Sequence, residues 1–125
     1  MEKKYLKLAD IDAYVLSYNL SNYVWEIVQN WDWFAKKTVG VQFVTAADSN
    51  SANIAEGFGR YFKKDKIKFY RYTLGSVREC FDWNQKSYKR SLISLEQYQH
   101  IFQTLESIKK ETYSLINYTE KVLKE

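Results

Sequence analysis

No proline occurs anywhere in the chain, and glycine is confined to Gly40, Gly57, Gly59 and Gly75. Proline and glycine punctuate loops, so their scarcity excludes a loop-rich or many-turned fold and predicts long helices joined by short connections. Cys80 is the only cysteine, which rules out an internal disulfide and gives no sign of an oxidising compartment. The one histidine, His100, cannot supply the paired Glu-x-x-His motifs of a metal-binding bundle, because the residue three before it is Gln97; it also falls on a different predicted helix from Cys80, around which nothing forms a nucleophile motif. No stretch approaches the ~20 apolar residues that a membrane span requires. The N-terminal MEKKYLKLADIDAY has charge but no apolar run of signal-peptide length. A soluble, cytoplasmic protein without membrane contact, cofactor, metal or enzymatic activity is the expectation.

What is present points to a globular all-α chain. Hydrophobic residues make up 46% and charged residues 27% of the 125 positions, enough apolar material for one domain over residues 1–125 with a single core. Aromatics reach 18%. Either the core is rich in rings or the surplus covers an interface between subunits.

Helical periodicity appears four times. The first helix is predicted from about Asp10 to Phe34, with Ile11, Val15, Tyr18, Trp25 and Val28 on its apolar face and WDWF closing it as an aromatic cluster against a neighbouring helix. The second is predicted from about Thr38, a candidate N-cap, to Phe58, with the small-residue seam Val44, Ala47, Ser51, Ile54 and Phe58. Gly57 and Gly59 are read as its left-handed stop. The third is predicted over about Lys64–Lys86, its apolar stripe being Ile67, Tyr70, Leu74, Val77 and Phe81. A polar connection, 87–93, precedes Ser94, which forms a capping box with Gln97. The fourth helix then repeats Tyr98, Ile101, Leu105, Ile108, Thr112, Leu115, Thr119 and Val122. Short connections make neighbours antiparallel, so the predicted fold is an up-down-up-down four-helix bundle.

Charge is unevenly placed. Residues 1–60 and 94–125 each sum to −1, whereas residues 61–93 carry nine basic and three acidic groups. Lys64, Lys68, Arg71 and Arg78 recur at helical steps about 100° from the apolar stripe, with Gly75 between the arginines. Arg60 and Lys63 precede them, Lys66 lies among them, and Lys86, Lys89 and Arg90 follow. Tyr61, Phe62, Phe69, Tyr70 and Tyr72 interleave. Cations that track a phosphate backbone beside rings that stack on unpaired bases form a candidate RNA or DNA surface. The competing reading is a solvated helix face with rings belonging to the core or to subunit contacts.

Two short blocks carry a resemblance. The stretch AADSNSANIAEGFGR (46–60) and, in the third helix, FYRYTLGSVRE (69–79) resemble the four-helix-bundle family of the 23S rRNA intervening-sequence proteins, a bacterial group. Ser49, Asn53, Ile54, Ala55, Glu56, Gly57, Gly59 and Arg60 match the first block, and Gly75, Ser76 and Glu79 the second. The resemblance implies a homopentameric assembly. It also implies similarity to an accessory protein of diversity-generating retroelements, thought to bind nucleic acid and a reverse transcriptase. Many relatives carry arginine where this chain has Val44 and Thr45, and apolar residues at Asp48 and Asn50, which leaves the third helix as the better nucleic-acid candidate. A buried network joining Asn53 and Glu56 to Ser76 and Glu79 is expected between the second and third helices. A ligand or metal held by the two glutamates is the alternative.

Overall fold

The computed structural model describes residues 7–122. After a single 3-10 turn at Leu8–Asp10, α1 spans Asp12–Gln29. A one-turn helix α2 (Trp33–Ala35), a π-turn (Lys36–Gly40) and α3 (Val41–Phe58) run on without a break as a second rod. α4 (Lys63–Lys89) and α5 (Leu95–Val122) complete the fold, and the described residues include no strand. Contacts run α1 to α3, α3 to α4, α4 to α5 and α5 back to α1, so the rods form a square in which α1 and α4 occupy opposite corners. This is the all-α antiparallel four-helix bundle that the periodicity predicts. None of its helices is long and apolar enough to cross a membrane, among the described residues.

The first two helices divide differently from the sequence expectation. α1 stops at Gln29 because Asp32 begins the next rod: its carboxylate accepts a hydrogen bond from the Ala35 N–H at 3.0 Å, satisfying one of the free donors of a helix start. Thr38 is therefore no N-cap. It lies inside the π-turn and its hydroxyl donates to the Phe34 carbonyl at 2.8 Å. The WDWF motif straddles the boundary, and Trp33 and Phe34 face solvent instead of closing onto a neighbour.

The core face of α1 is also rotated from the predicted one, of which Ile11 and Val28 alone are buried. Ala13, Ser17, Leu20, Val24 and Val28 point inward, while Val15, Tyr18 and Trp25 are exposed. Both sets recur at three- and four-residue steps, and the chain buries the smaller one because close-packed rods leave no volume for large rings at that level. On α3 the buried face is Phe43, Ala46, Ala47, Asn50, Ile54 and Gly57, with Val44, Ser51 and Phe58 half-buried at its edge.

Gly57 acts through contact and not through a left-handed backbone. A Cβ there would lie 2.8 Å from Tyr70 Cε1 and 3.0 Å from the Lys66 carbonyl, so the missing side chain lets α3 and α4 approach. Gly59 holds the helix end at φ −79°, and no described glycine has positive φ. α4 runs three residues past its expected end. It buries Tyr70, Thr73, Ser76, Val77, Cys80, Asn84 and Ser87, with Ile67, Leu74 and Phe81 half-buried. The Ser94–Gln97 capping box is present in both directions, at 2.9 and 3.0 Å, and α5 buries its repeat from Ile101 to Thr119.

The buried polar link between α3 and α4 centres on Asn50. Ser76 Oγ donates to Asn50 Oδ1 at 2.6 Å, Thr73 donates to the Asn50 carbonyl at 3.0 Å, and Asn50 Nδ2 donates to Cys80 Sγ at 3.6 Å. Of the four residues predicted for this network, only Ser76 takes part. Burial pushes the Cys80 thiol up to about 12, so this cysteine packs as a neutral side chain.

Candidate nucleic-acid interface

α4 places its cations by helical geometry alone. Lys64, Lys68, Arg71 and Arg78 all lie on the solvent side, and none is within ion-pair range of a carboxylate among the described residues. The line from Lys64 to Arg78 covers 14 residue steps, about 21 Å at 1.5 Å per residue. Gly75 sits within it, and a Cβ there would meet nothing within 4 Å. Cations that are exposed and unpaired keep their charge available to a polyanion.

Four of the other basic candidates, Arg60, Lys63, Lys66 and Lys86, are already occupied. Arg60 pairs with Glu56 at 2.8 Å and lies over the Phe69 ring at 4.6 Å. Lys63 donates from Nζ to the Glu120 carbonyl at 3.3 Å, tying the start of α4 to the end of α5. Lys66 donates to the Phe58 carbonyl at 2.8 Å, which satisfies a free acceptor at the end of α3. Its partial burial lowers its pKa, and it belongs to the packing. Lys86 pairs with Asp82 at 2.7 Å.

The aromatics separate in the same way. Tyr70 is buried and cannot stack on a base; burial pushes its hydroxyl up to about 12. Tyr61 and Phe62 are exposed just before α4 and meet edge to face at 4.9 Å, and the exposed Tyr72 pairs with Phe69 at 5.3 Å. Lys109 was not singled out in the sequence, because the carboxylates of α5 hide it in the segment's charge sum. It joins Arg78 on a groove of about 260 Å³ between α4 and α5, beside Leu74, Phe81 and Tyr113.

The residues of the two resemblance blocks do not converge on one site. Asn53 is half-buried, Glu56 is exposed and held by Arg60, Gly75 and Glu79 are exposed, and Gly57 and Ser76 are buried. No group of three His, Cys, Asp or Glu side chains with metal-binding spacing occurs among the described residues. His100 is exposed, with its ring 4.5 Å from that of Tyr23.

The four packed helices carry the NIAEG block on α3 and the GSVRE block on α4. Residues 9–114 match the family described as 23S rRNA-intervening sequence protein. The chain belongs to that family. No curated protein matches it. Among solved structures, this intervening-sequence family member is similar to a protein of unknown function from the S23 ribosomal protein family of Bacteroides thetaiotaomicron. The TM-score is 0.75 at 20% identity, over 83% of this chain and 97% of that one. At that identity the likeness speaks for the fold.

Proposed function

We propose that this intervening-sequence family protein is a non-enzymatic, cytoplasmic oligomer that holds the backbone of RNA or DNA along the outer face of α4, without reading base sequence. The observation that supports it is the line of four exposed cations without an ion-pair partner: Lys64, Lys68, Arg71 and Arg78. Arg60 and Lys63 flank its start, where a ligand phosphate would compete with Glu56 and the Glu120 carbonyl. Neutralising phosphates releases counterions, so affinity for a structured RNA should fall steeply between low and moderate salt. An affinity that is flat across that range sinks the reading.

A second reading is a homo-oligomeric scaffold that docks a protein partner, with five copies by family resemblance. It is favoured by the exposed apolar side chains of α1 (Val15, Tyr18 and Trp25) and by Trp33 and Phe34 beyond it. Sedimentation as a monomer at micromolar concentration counts against it, and pull-downs from native lysate with and without nuclease separate the two readings.

A further inference from the structure

We propose that a groove of about 650 Å³ at one end of the bundle, lined by Phe34, Lys37, Thr38, Gln42, Trp83 and Arg90 among others, takes one unstacked nucleobase of a single strand together with its phosphate. The proposal rests on the backbone-binding reading above and adds the class of strand recognised.

The groove forms where the start of the second rod meets the end of α4. Its volume falls within the range of small-molecule sites. Phe34 is 70% exposed, an unusual position for a phenylalanine, and it lines this groove together with the half-buried Trp83. Flat rings offer stacking surface to any base, since every base has a π-face.

Charge selects the remainder of the ligand. Lys37 and Arg90 bring two cations, neither in an ion pair among the described residues. The one carboxylate lining the groove, that of Asp32, is engaged by the Ala35 N–H as a helix cap. The balance favours an anion beside the ring. Gln42 supplies a hydrogen-bonding group at the wall, and its side-chain amide has no hydrogen-bond partner among the described residues.

The wall itself is irregular. Lys37 and Thr38 belong to the π-turn, a rare form that recurs at functional sites inside α-helices. Gly40 closes that turn against α1, where a Cβ would come within 2.7 Å of Val28 Cγ1. Arg90 follows the last residue of α4, the helix that carries the basic stripe. A base paired in a duplex is stacked on both faces and cannot enter.

The test is fluorescence anisotropy with two labelled 12-nucleotide strands at one salt concentration, oligothymidylate and an abasic strand with the same number of phosphates. Wild type should bind oligothymidylate about tenfold more tightly, in line with the stacking of one base. Phe34→Ala should bring the ratio close to one while leaving affinity for the abasic strand unchanged, and Phe34→Tyr should keep the ratio. Equal affinities in wild type overturn the base site and leave the backbone reading standing, as does a ratio that survives Phe34→Ala. Failure of both strands to bind overturns both.

Discussion

The outer faces of α1 and α4 lie at opposite corners of the same bundle, and each carries a stripe at helical spacing. On α4 the stripe is cationic. On α1 it is apolar, made of Val15, Tyr18 and Trp25, and α1 holds no lysine or arginine at all. A stripe of lysines needs no packing partner to explain its place, because charged groups stay in water whichever way the rods assemble. An apolar stripe on a helix already packed on its other side is different. It costs solvation without repaying it inside this chain, and this is the observation behind the scaffold reading. One molecule thus has two corners of different character, exposed cations at α4 and exposed apolar side chains at α1.

The contrast can be broken most forcefully at α4. Reversing charge at Lys64, Lys68 and Arg71 together should abolish nucleic-acid binding at moderate salt and flatten the log–log salt dependence by about three units, one per lost phosphate contact. Circular dichroism should show helicity unchanged, since all three are exposed. A triple variant that binds as wild type would remove α4 from consideration.

At α1 the two faces should respond oppositely. Leu20→Ala, at 2% exposure, should cost about 2–5 kcal/mol in urea unfolding. Tyr18→Lys with Trp25→Lys should change monomer stability by no more than ~0.5 kcal/mol and act instead on assembly, read by sedimentation. Equal costs from both would mean that the inner face has been misassigned.

The glycines of the two blocks sharpen the comparison further. Gly57→Ala should destabilise by about 1–3 kcal/mol, because its new methyl meets Tyr70 and the Lys66 carbonyl. Gly75→Ala should stabilise by about 0.5–1 kcal/mol, since it is exposed within a helix and has open space around it.

A further effect is confined to alkaline pH. Cys80 and Tyr70 are both raised to about 12 in the folded chain. A folded pKa above the unfolded one means stability is intact below the unfolded value and lost as pH climbs towards 12. Decline should therefore begin near pH ~8.5 with Cys80 and steepen near ~10 with Tyr70. Cys80→Ala should remove only the earlier onset. Urea midpoints that stay constant from pH 8 to 11 would contradict the buried, neutral state of both groups.

Much of this was legible before folding, but unevenly. The α5 repeat and its Ser94–Gln97 cap could be read because every level agrees there: period, cap chemistry and burial. The α4 cations could be read because exposure of charge depends little on context. The buried link was missed at Asn50, since a lone asparagine on a helix bears no mark of burial, while Asn53 and Glu56 attracted attention through their block. Lys66 looks like its neighbours in the sequence, but in the fold its ammonium donates a hydrogen bond to the Phe58 carbonyl.

By itself the sequence determined that the chain is all-helical, that four rods are joined by short turns, and that positive charge gathers on one of them. These follow from local spacing, from the absence of proline and from the cost of burying charge. Tertiary structure decided which of two equally periodic faces of α1 turns inward, which cations are consumed by capping and pairing, and where the π-turn opens a groove. Those outcomes depend on the volume and polar partners that neighbouring rods provide, and no single helix carries that information.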